Sequence, residues 1–125
     1  MKVLTIDQMH QLKELGVDVK PKGMCLMYTS DSSDCYYLKY GESTCEDDVV
    51  AFGLQDIIEL LPKSVIINSL NHWFCVNQNC LLTEFQVMYV YGNDSYGVIK
   101  QNKSLLKAAY EMLIWVIENG YLKTK

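Results

Sequence analysis

The stretch SLLKAAYEMLIWVIENG, Ser104–Gly120, decides the fold. Leu105, Ala109, Met112 and Val116, and beside them Leu106, Leu113 and Ile117, recur at three- and four-residue steps, the spacing of one helix face. Ser104 or Asn102 can cap free N–H groups at its start. Gly120 ends it, because glycine takes the left-handed conformation that closes helices at little cost. From Ala108 to Ile117 the single charged residue is Glu111. A surface helix shows a polar side, so this pattern predicts a core helix covered on more than one face.

Upstream, from Ser64, the hydrophobic period becomes two. It predicts strands at Val65–Leu70, Trp73–Asn77, Leu81–Tyr91 and Tyr96–Gln101. Asn71-His72, Asn77-Gln78-Asn79 and Gly92–Ser95 supply the turns. In the longest strand Phe85, Val87, Tyr89 and Tyr91 share one face, and Gln86, Met88 and Val90 the other. Both faces are partly apolar, which predicts cover on both sides or an exposed aromatic patch.

Further out, Thr5-Ile6-Asp7-Gln8 matches a capping box. A helix follows to about Leu15, with Ile6, Met9, Leu12 and Leu15 as its apolar stripe and Gly16 as its stop. Val17–Gly23 is a connector. Met24–Thr29 and Cys35–Tyr40 form a hairpin across the polar turn Ser30–Asp34. Gly41–Asp48 is an acidic loop, Val49–Phe52 a short strand, and Leu54–Leu61 a two-turn helix capped by Gly53 and stopped by Pro62. The economical assembly is an α+β fold in one domain, 1–125. An antiparallel β-meander carries the long C-terminal helix across one face and two shorter helices at its edges.

Composition narrows the function. A chain of 125 residues, half of them hydrophobic and 21% charged, is ordinary globular protein that buries a core without staples. The net charge is −4, and all eleven basic residues are lysine. Without arginine's planar fork, phosphate and base-edge readout is disfavoured. The N-terminus has no apolar signal-peptide core, and no window approaches the ~20 apolar residues of a membrane span. A cytoplasmic setting and five reduced cysteines follow as expectations.

Few constellations could carry chemistry. His72, Cys75 and Cys80 offer soft zinc ligands across a turn, but a structural site needs a fourth, and positions three apart on a strand diverge. The same residues, or His10 with a cysteine, could make a nucleophile pair, yet neither histidine sits in a catalytic-loop motif. Glu42, Glu46, Asp47 and Asp48 lack the alternating ligands of a calcium loop and read as solvated. Lys100, Lys103 and Lys107 cluster where the core helix begins; they could hold an anion or acidic partner, or simply solvate the helix end. There is no recognisable catalytic signature and no cofactor motif. Nine tyrosines, several on strands, leave a contact surface as the remaining signal, with Tyr89, Tyr91 and Trp115 as its candidate residues.

The segments LQDIIELLP (Leu54–Pro62) and YEMLIWVIENGYL (Tyr110–Leu122), with the opening LTIDQMHQLKELGVD, resemble recurring segments of small phage- and prophage-encoded proteins of gut bacteria. The resemblance leaves the hairpins unmatched, and Gly53 stands where it implies a threonine cap. It implies an accessory protein in a bacterial cytoplasm and brings no catalytic residues with it. The expectation is a non-catalytic protein-interaction module, self-association included. A cysteine/histidine metal protein or enzyme and a lysine-mediated nucleic-acid binder are the rivals.

Overall fold

The computed structural model describes residues 2–30, 35–78, 83–92 and 95–122, with backbone alone at 95 and 96. Its contacts divide the chain into two compact units, Met1–Gly53 and Leu54–Lys123.

In the first unit the capping box forms as its residue types require. The Gln8 amide donates to Thr5 Oγ1 at 3.2 Å and the Thr5 amide to Gln8 Oε1 at 2.9 Å, starting α1 at Ile6–Glu14. Asp7 in the first turn and Lys13 in the last complement the helix dipole. At the other end Gly16 takes φ 95°, and its amide bonds Lys13 O while the Val17 amide bonds Leu12 O. That pair of bonds is a Schellman closure, with Val17 and Leu12 both buried beside it.

β1 (Cys25–Thr29) and β2 (Tyr37–Gly41) make the expected hairpin, and β3 (Val49–Val50) adds to the far side of β1. The sheet order is β2-β1-β3, antiparallel throughout. Leu4 is drawn into this unit by its amide, which donates to Phe52 O at 2.8 Å, and by its carbonyl, which accepts from Tyr28 Oη. Leu4, Met9, Leu12, Met27 and Val49 are the heart of the core.

The second unit begins with α2 (Leu54–Leu60), which buries Ile57 and stops before Pro62. β4 (Ser64–Ile67), β5 (Leu70–Gln78), β6 (Phe85–Tyr91) and β7 (Ser95–Asn102) follow as an antiparallel meander in sequence order. The first turn is not where the sequence suggested. Asn68 and Ser69 take φ 51° and 68°, the paired left-handed conformation of a tight two-residue hairpin, which places Asn71 and His72 inside β5. Asparagine tolerates that conformation well, so Asn68 sets the register. Asn77 and Gln78, expected in a turn, belong to β5, and Asn79 lies outside the described residues.

α3 (Leu105–Glu118) packs on β6, β7 and α2. Ser104 caps it, its Oγ accepting from the Lys107 amide, while Asn102 Oδ1 accepts from the Ser104 amide, so both sequence-nominated residues serve. Ala108, Ala109, Tyr110, Met112, Leu113 and Val116 are buried, more than one face wide, as the single glutamate had implied. Gly120 closes the helix with φ 78° in a second Schellman motif. The α+β class and the C-terminal core helix therefore hold, but the strands form two antiparallel sheets.

Candidate functional site

Strand pairing sorts the second unit's sheet into two sides. Val65 pairs with His72, Phe74 with Tyr89, and Val76 with Val87. Two side-chain bonds show which elements cover this side: Tyr89 Oη donates to Pro62 O, just after α2, and Asn102 Nδ2 to Glu111 Oε1 of α3. The opposite side carries Ser64 and Ile66 on β4, Asn71, Trp73, Cys75 and Asn77 on β5, Gln86, Met88 and Val90 on β6, and Ile99 and Gln101 on β7. None of these is charged.

Met88 is buried in the middle of this second side, whereas Trp73 is 57% exposed and Ile66 64% exposed. Trp73 pairs with Ser64 and Val90, and Ile66 with Asn71, so Trp73 and Ile66 are diagonal neighbours on adjacent strands. β5 is hydrogen-bonded on both edges, so a rigid backbone holds the indole in water. Toward the far end the side turns polar, with Gln86 Nε2 donating to Gln101 Oε1 at 3.0 Å and Gln101 Nε2 to Glu84 Oε2. An exposed tryptophan amid uncharged neighbours, with amides at the margin, has the anatomy of a contact patch.

The first sheet also exposes apolar side chains, Tyr37, Leu38 and Tyr40, on its edge strand β2. Leu38 and Tyr40 share one face of β2 and Tyr37 takes the other.

The residues nominated from sequence fall elsewhere. Tyr89 is fully buried, 5.6 Å from the Phe74 ring, with its hydroxyl 2.7 Å from Pro62 O. Burial raises its pKa, keeping it a neutral donor, so Tyr89 is a core residue and not part of a contact surface. Tyr91 is partly exposed, its ring 6.0 Å from that of His72. Trp115 is half-buried and stacks on Tyr121 at 5.3 Å. Asn71 and Asn77 on the side of Trp73 were the available signal for a solvent-facing surface.

His72 and Cys75 do not converge. His72 is buried on the α3 side of β5, its Nδ1 2.9 Å from Leu70 O, and Cys75 stands on the opposite side with Sγ 3.9 Å from Val76 O. Cys80 lies outside the described residues. Among the described residues no three His, Cys, Asp or Glu side chains gather in a metal-holding group. Lys100 is half-buried on β7 opposite Val87, whereas Lys103 and Lys107 are exposed. The Lys107 and Ser104 amides already have acceptors in Ser104 and Asn102, leaving fewer free donors for an anion.

The acidic loop forms one wall of an open cavity of about 610 Å³ lined by Lys20, Pro21 and residues 43–48. Asp48, 4% exposed, turns inward, while Glu42, Glu46 and Asp47 stay in solvent. Its Oδ2 accepts from Ser43 Oγ at 2.9 Å and from the Thr44 and Cys45 amides at 3.1 and 3.2 Å. Burial pushes its pKa up, but hydrogen bonding by the Thr29 and Ser43 hydroxyls and those two amides outweighs it, holding the carboxyl below its ordinary value. Among the described residues Asp48 Oδ1 has no hydrogen-bond partner, and it is sealed from solvent. Asp48 is the clasp of its own loop.

No helix among the described residues is long and apolar enough to cross a membrane. No protein-family model matches the chain, and comparisons with curated proteins and with solved structures give no significant match.

Proposed function

We propose that the chain is a non-catalytic protein-interaction module, an accessory protein of phage or prophage origin acting in a bacterial cytoplasm, and that it holds a heterologous protein through Ile66 and Trp73. The phage and cytoplasmic setting rests on the resemblance of the Leu54–Pro62 and Tyr110–Leu122 segments. The contact surface rests on one observation, a tryptophan 57% exposed on a doubly paired strand beside an isoleucine 64% exposed. Covering the two removes on the order of 200 Å² of apolar surface, roughly 5 kcal/mol before association costs. A standard interface buries about 800 Å² per partner. Ile66 and Trp73 therefore act as anchors within a wider contact whose polar margin carries the charge of Glu84.

The test uses Trp115→Phe protein, in which Trp73 is the only indole. A stoichiometric protein retained from bacterial lysate is identified by mass spectrometry, purified and titrated back. Blue-shifted Trp73 emission on binding, and at least tenfold weaker binding by Ile66→Lys/Trp73→Ser with an unchanged unfolding midpoint, support the proposal. Equal binding by that variant overturns the surface. Association of the purified chain with itself alone, read by sedimentation, overturns the heterologous partner.

A further inference from the structure

We draw no further inference here: the strongest candidate, the uncharged side of the β4–β7 sheet around Ile66 and Trp73 taken as a seat for a second copy of the chain, belongs to the contact surface already described, and nothing in the structure shows what covers it.

Discussion

Asp48 illustrates how one side chain shapes a loop. Its folded pKa lies below the ordinary value, so it adds stability above the unfolded pKa and loses that contribution as pH falls through the folded one. Asp48→Asn is expected to cost roughly 1.5–3 kcal/mol near neutrality, the scale of hydrogen bonds to a charged group. Denaturant titrations should show the gap from wild type closing below about pH 4, where carboxylates protonate; a gap independent of pH would mean the charge adds nothing. Gly97 is a different constraint. The pairing jumps from Tyr89–Val98 to Val90–Tyr96, leaving Gly97 as a bulge. A Cβ there would come within 2.5 Å of Ile67 Cδ1 and 3.0 Å of the His72 ring. Gly97→Ala should therefore cost about 1–3 kcal/mol through overpacking, with a perturbed His72 ring signal by NMR. A neutral substitution would show that Ile67 and His72 yield freely.

Among the elements, the helices were the most legible. Capping residues, closing glycines and the 3.6-residue apolar step act within a few positions of chain, and α1 and α3 carry their whole specification locally. Strand ends were less so, because the Asn68-Ser69 turn competes with the equally plausible Asn71-His72, and only the pairing of β4 with β5 decides between them. The same displacement moved His72 from a turn into the core. Side-chain rank within α3 follows from its packing. Leu113 is fully buried, so Leu113→Ala should cost about 2–5 kcal/mol. Trp115 is half-buried against Tyr121, and Trp115→Ala should cost roughly 2 kcal/mol, below the ~3–5 kcal/mol of a core aromatic. Paired unfolding curves followed by circular dichroism check the order; a larger loss for Trp115 reverses it.

At the scale of the molecule, the α+β class and the soundness of the core could be read from periodicity, but the division into two sheets could not. Both sets of strands show the same period of two, and which strand joins which sheet depends on pairings such as β3 onto β1. The exposure of Trp73 was missed for a related reason: Tyr89 and Trp73 are both large aromatic strand residues, and the side that α3 covers is a tertiary fact. Deleting residues 1–4 removes the Leu4 amide bond to Phe52 and the acceptor of Tyr28 Oη. The amides of Val50 and Ala51, which donate to Val19 O and to Leu26 O of β1, are expected to lose hydrogen-exchange protection by tenfold or more; protection unchanged from wild type would show that Leu4 is not needed to close the unit.

The order of the strands also has a temporal meaning. In the second unit each strand from β4 to β7 pairs with the next one along the chain, so every pairing closes a short loop at small entropic cost. The first unit instead joins residue 4 to residue 52 and places β3 beside β1 across the intervening hairpin. During synthesis the earlier half must wait for nearly all of its own length to emerge before it can close. The later half can zip strand by strand as it appears, the low-contact-order route to fast folding.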